Sequence, residues 1–297
     1  GGWAEGDASF AGQNPAPGAL ISYYQKTRHV FGRLKLEILD PAGKVIDTLP
    51  ASKRKGINRV VWLMRAPPPR VPTAAQPAGA GLEGPRLLPG DYTVRLTKAG
   101  KTYESRLLIT LDRRAKFTLE DRRLQFAAAM RAHALFGRMT DLADRLAGMK
   151  ALAESRQNAP KLSGRTLALV EKFANQSEVL RKQIVATREG GAITGEERLR
   201  EHLDNVYGAL LSYEGRPGDY QVARVAVLER ELAQLEEQTK ALLDQQLPLL
   251  NESLKRDQLE PITASAAAQA GSQYAAIETL RKLRDGDTGA AVAEERD

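Results

Sequence analysis

Hydrophobic positions along this chain change their period once. From Ala19 to about residue 110 the apolar residues alternate with polar ones. After Asp112 they recur every three or four residues. The first regime predicts strands and the second predicts helices. "ALISYY" opens as a short apolar run. "RLKLEIL" sets Leu34, Leu36 and Ile38 against Lys35 and Glu37, the mark of a half-buried strand. "DPAGK" at 40–44 supplies a turn, and "VIDTL" returns as the second arm of a hairpin. "GINRVVWLM" from Gly56 puts Val60, Trp62 and Met64 on one face and Val61 and Leu63 on the other. "DYTVRLT" and "TYESRLLITL", joined through Gly100, close the set. Six or seven short antiparallel strands within about a hundred residues predict a β-sandwich.

One stretch interrupts this order. "APPPRVPTAAQPAGAGLEGPRLLPG", 66–90, is dense in Pro, Gly and Ala. Proline cannot donate to a ladder, so the strand must stop by Ala66, and the stretch reads as a surface excursion poor in core-building residues. It contains a candidate contact surface at Arg65, Pro67, Pro68, Pro69 and Arg70.

In the second regime Thr118 and Asp121 signal a helix start, with helical sequence to about residue 158. Leu135, Met139, Leu142, Leu146, Met149 and Ala153 form a seam spaced alternately four and three. Ser163 caps a second helix carrying Val170, Phe173, Leu180 and Ile184. Thr194 with Glu197 offers a capping box for a third, over about 196–213. The fourth runs from Asp219 to about Lys255, with Val225, Leu228, Leu232, Leu235, Thr239 and Leu242 as its seam. Pro248 predicts a kink or early end. The expected fold is an Ig-like or fibronectin type III-like β-sandwich followed by an all-α antiparallel helical bundle. The expected divisions are 1–12 as a lead-in from a missing upstream region, 13–112 as sandwich, 113–118 as hinge and 119–259 as four-helix bundle. The tail, 260–297, carries a short helix at about 274–283.

Composition narrows the chemistry. Of the net charge of +7, all lies before residue 113, where 16 Lys and Arg face 9 Asp and Glu; the remainder holds 28 of each. The basic cluster Lys53, Arg54, Lys55 has no flanking aromatic residue for base stacking, so it reads as a solvated turn and no nucleic acid is expected. No apolar run reaches the length of a membrane span. The absence of cysteine excludes disulfides and thiolate chemistry. A start at Gly1 with no leader pattern behind it reads as a piece of a longer chain.

"GAGLEG", 79–84, matches G-x-G-x-x-G but lacks the preceding strand and following helix that nucleotide binding requires. His29, His133 and His202 lie in separate elements without a local pair, so no metal is expected. Glu196 with Glu197, and Glu236 with Glu237, read as solvated helix faces. Trp62 and Tyr92 offer aromatic faces to a sugar, yet the alternation places Trp62 in the core. With Asn58 and Gly90 they are assigned structural roles. No catalytic residue and no cofactor is expected.

"FAGQNPAPGALISYY", "GKVIDTL", "GINRVVWLMRAPPP", "LLPGDYTVRL" and "LDRRAKFTLEDRRLQF", in this order, resemble the C-terminal region of large secreted bacterial proteins with a sortilin-like, BNR-repeat β-propeller, often labelled glycosyl hydrolases. The likeness spans roughly 10–262. The pattern Gly56, Asn58, Trp62, Pro89, Gly90, Tyr92 is also similar to the Ig-like domain of flagellar hook-capping proteins. Family members tend to carry Asp after the tryptophan, where this chain has Leu63. The resemblance implies an exported protein, periplasmic or extracellular, with a β-propeller upstream and a protein or glycan ligand. It implies that this chain is a non-catalytic accessory region that spaces, docks or binds. A glycosidase-type hydrolase is the alternative, and a coiled-coil oligomerisation module, with the two seams meeting other chains, is a third.

Overall fold

The computed structural model describes residues 17–76, 78–188 and 195–263. The chain falls into two compact units. One runs up to Pro67 and resumes over Pro85–Ala115; the other comprises Pro68–Gly84 and the chain from Lys116 onward.

The first unit holds six strands in two antiparallel sheets. β1 (Ala19–Gln25) pairs with β4 (Gly56–Trp62). β2 (Leu34–Leu39), β3 (Val45–Leu49), β5 (Gly90–Lys98) and β6 (Lys101–Ile109) form a second sheet in the order β3-β2-β5-β6. Alternation decides which face is buried. Ile21, Leu36, Ile38, Trp62 and Tyr92 share one core, with Val60, Val94, Leu96 and Leu107 packed against it. The 40–44 turn closes through Asp40, whose Oδ1 accepts from the backbone N–H of Ala42 and Lys44 at 2.9 Å. β4 begins at Gly56, held at φ +98°, which a side chain rarely tolerates. Met64 adopts φ +57°, so the chain leaves the ladder just after Trp62 while Met64 still packs against the same core. Beyond it the strand is resumed as a narrow neck. Leu87 donates to the Met64 carbonyl and Ala66 to that of Pro85, each at 2.8 Å, with Arg65 opposite Arg86.

The second unit holds α1 (Leu119–Glu154), α2 (Gly164–Ile184), α3 (Leu199–Leu211) and α4 (Asp219–Arg256). Thr118 caps α1 in a full capping box with Asp121, and Ser163 caps α2 while its hydroxyl also donates to Asp257 at 2.8 Å. Both seams lie buried within the chain. One core joins α1, α3 and the first half of α4, and a second joins the ends of α1 and α4 to α2.

The helix directions depart from the expected up-and-down order. Arg131 pairs with Glu229 and Arg138 with Glu236, so α1 and α4 run parallel. The start of α2 meets the end of α4, with Thr166 and Ser253 hydroxyls 2.8 Å apart. The end of α3 meets the start of α1 through Gln125 and the Leu210 carbonyl. α2 and α3 therefore run in succession against the two long helices. Their 21 and 13 residues together match the length of one of them, which is why two helices are needed for a single return.

Of the kink or early end expected at Pro248, the early end does not occur. α4 continues past Pro248 to Arg256, because the proline sits on the exposed side and the following turn is anchored by buried Leu250, Ser253 and Leu254. Beyond α4, Asn251 holds Ile262 by both its amide atoms, at 2.9 and 2.8 Å. α3 starts at Leu199, where the Glu201 carboxylate accepts from Arg198 N–H at 3.0 Å. Thr194 and the short helix at 274–283 lie outside the described residues. The 113–118 segment is a turn in which Asp112 binds Arg114 by backbone and guanidinium, which holds the Asp112 carboxyl down at about 2.

Candidate functional site

The Pro-rich excursion is poor in residues that build a core. Residues 68–84 nonetheless pack as part of the helical unit. Ala74 is buried in the core of α1, α3 and α4, and Val71 and Ala80 pack against it. Small residues are what permit this. A Cβ on Gly81 would stand 2.6 Å from Val71, and one on Gly208 of α3 would stand 3.1 Å from Ala80. At the start of a short 3₁₀ turn, Ala80–Leu82 with Gly79 as its N-cap, three successive backbone N–H groups, those of Gly79, Ala80 and Gly81, face α3.

Those three groups grip one carboxylate. Asp204 accepts from Gly79 at 2.9 Å and Ala80 at 3.3 Å on Oδ2, and from Gly81 at 2.8 Å on Oδ1. Consecutive N–H groups pointing into one concavity make an anion-binding nest. The glycine motif "GAGLEG" thus does hold an anion, supplied by the chain's own third helix. On either side of Asp204, one turn away along α3, the clasp is completed. Arg200 donates both terminal nitrogens to the Gln76 carbonyl at 2.7 and 2.8 Å, and the Tyr207 hydroxyl donates to the Glu83 carbonyl at 2.8 Å. Arg200 is 1% exposed, and burial pulls its pKa below the ordinary guanidinium value while Glu201 and Asp204 oppose the fall. Glu201 stands 3.3 Å from the Arg200 Nε without hydrogen-bond alignment, so the pair neutralises charge without a directed bond.

The expected contact surface divides at the neck. Arg65, half-buried, stays with the strands, as does exposed Pro67. Pro68 is exposed, Pro69 is buried, and Arg70 lies on α1, donating to Asp141 at 2.7 Å while its carbonyl accepts from Thr140 at 2.9 Å. Asp144, one turn beyond Asp141, has its carboxyl raised to about 6 by burial, reinforced by Asp141 and opposed by Arg70. It shares a helix face with Asp141, whereas glycoside hydrolysis sets two carboxyls across a cleft.

Of the residues assigned structural roles, Trp62 and Tyr92 lie in the core of the first unit. Trp62, 1% exposed, donates its indole N–H to Asp47 at 3.0 Å and meets the Tyr92 ring edge-on at 5.7 Å. The Tyr92 hydroxyl donates to the Leu88 carbonyl at 2.9 Å. Asn58 ties the preceding turn by donating to the Arg54 and Gly56 carbonyls at 3.0 and 3.1 Å. Gly90 has neither positive φ nor a close neighbour, and nothing in the structure explains its lack of a side chain. Of the expected helix-face carboxylates, Glu236 pairs with Arg138, and Glu196 accepts from Thr187 N–H at 2.9 Å, which with Arg198 lowers its pKa.

Sequence reasoning missed Asp204, Arg200 and Tyr207. The glycine motif was the available signal, since successive free N–H groups call for an acceptor. Its partner lies more than 120 residues away, on a helix whose Asp carries no distinguishing context. Among the described residues no group of three His, Asp or Glu side chains is placed to hold a metal ion, and no helix is long and apolar enough to cross a membrane. Comparisons with known protein families, curated proteins and solved structures return no match.

Proposed function

We propose that this chain is a non-catalytic accessory region of an exported, sortilin-like propeller protein, serving to space, dock or bind. In this reading the two sheets form an Ig-like β-sandwich and the helices a bundle clasped by a loop that the sandwich inserts. The β-propeller lies upstream in the native polypeptide, and the ligand is a protein or a glycan.

One observation carries the reading. The amide nest of Gly79, Ala80 and Gly81, an arrangement of the kind that binds anions, is filled by Asp204, with Arg200 and Tyr207 bound to loop carbonyls beside it. Groups that would bind a substrate phosphate or carboxylate are spent on joining the loop to the helices. A site used this way supports architecture rather than turnover. The order of the five sequence segments supports the family. Incubating the chain with a panel of aryl glycosides tests the claim: no release above the buffer rate is expected, and turnover that survives repurification would refute it.

A further inference from the structure

The turn between α3 and α4 reads "YEGRPGDY", 213–220, with a glycine two residues from each tyrosine. Neither Gly215 nor Gly218 has positive φ, so neither is required by the backbone. Each leaves room for a ring. A Cβ on Gly215 would stand 2.5 Å from Cζ of Tyr213, and one on Gly218 would stand 2.7 Å from Cε1 of Tyr220. Both rings lie against the bare backbone of the turn, and Phe117 buttresses Tyr213 edge-on at 6.0 Å. Even so, Tyr213 is 58% exposed and Tyr220 74%. Each ring is backed by glycine on one side and open to solvent on the other.

The two tyrosines border a pocket of about 350 Å³ whose other walls mix polar Ser212, Arg216 and Gln221 with apolar Ala209, Leu210 and Pro217, while the Gln125 amide beneath them is already bonded to Arg122 and the Leu210 carbonyl. Gln221 accepts from the Gly218 N–H at 2.9 Å through Oε1, which leaves its Nε2 hydrogens for a ligand. We infer that this pocket binds a pyranose oligosaccharide, its sugar rings stacked on Tyr213 and Tyr220 and its hydroxyls bonded by Ser212, Arg216 and Gln221. The negative face of an aromatic ring attracts the weakly positive C–H face of a pyranose, and a ring held in place loses little entropy on binding. A proline-rich peptide also docks on aromatic rings, but in grooves whose walls are themselves aromatic and apolar. Here the Gln221 amide, the Ser212 hydroxyl and the Arg216 guanidinium also border the pocket, and these match a polyhydroxylated ligand.

This inference deepens the binding role proposed above and rests on it. Soluble glucan, chitin, mannan and xylan oligosaccharides are titrated by calorimetry into the intact chain and into Tyr220→Ala, Gly218→Ala and Tyr213→Phe. At least one sugar is expected to bind, with Tyr220→Ala and Gly218→Ala each weakening it by about tenfold, the size of one lost aromatic contact, and Tyr213→Phe keeping most of the affinity. Unchanged circular dichroism confirms that the variants fold. Binding by none of the sugars, binding indifferent to Tyr220→Ala and Gly218→Ala, or capture of a polyproline peptide instead would overturn the site. Cleavage of a bound sugar that Tyr220→Ala weakens would support the site while overturning the non-catalytic reading.

Discussion

Replacing Asp204 with alanine tests whether the loop is held by the clasp. The carboxylate accepts three N–H groups. Gly79 is exposed and its N–H returns to water, but Ala80 is half-buried and Gly81 buried, so two donors are left without a partner. At roughly 1–3 kcal/mol for each such group, the loss is about 3 kcal/mol. All four helices belong to the unit that contains the clasp, so urea unfolding followed by helical circular dichroism reports on that unit directly. Amide exchange localises the effect: about 3 kcal/mol corresponds to exchange roughly a hundredfold faster at Gly79–Gly81. Amides of β5 keep their rates. Asp204→Asn retains one acceptor oxygen and is expected to fall between. A loss below about 0.5 kcal/mol for Asp204→Ala, with unchanged exchange in the loop, would show that the nest contributes nothing and refute the reasoning.

Other substitutions probe separate links. Trp62→Ala removes a fully buried side chain and its bond to Asp47, and is expected to destabilise the first unit by about 3–5 kcal/mol in denaturant titrations; a change under about 1 kcal/mol would remove Trp62 from the core. Pro248→Ala restores a helical N–H at an exposed position and should raise the stability of the helical unit by about 1–2 kcal/mol, as read by its urea midpoint. Asp144 supplies a pH dependence. Its folded pKa of about 6 lies above the ordinary 3.8, so its contribution favours folding in acid and is lost as pH rises through 6. Full linkage would give about 3 kcal/mol, which solvent screening of a half-buried group reduces to about 1 kcal/mol. Asp144→Asn should therefore stabilise the protein by about 1 kcal/mol at pH 7 and leave it unchanged near pH 4; equal effects at both would contradict the assignment.

Periodicity made the individual elements legible. Leu36 and Ile38, Trp62, and the seams from Leu135 and Val225 carried enough alternation to place six strands and four helices close to their observed bounds. It did not give the helix directions. A seam shows that a helix has a partner, but Arg131 and Arg138 acquire meaning only beside Glu229 and Glu236, about a hundred residues on. The clasp was hidden for a different reason. Segment 68–84 packs through Ala, Gly and Pro, whose value lies in close approach, and small residues leave no hydrophobic pattern to read. Gly215 and Gly218 show the same limit: as a turn they signal only a helix stop, and their use emerges once the tyrosine rings are seen to lie on them.

The proposal that this chain serves a larger exported polypeptide is tested by the intact mass of the protein purified from its native source. A species exceeding 32.5 kDa by the mass of a β-propeller is the predicted result. A native polypeptide of 32.5 kDa, beginning at Gly1 and working alone, would contradict it.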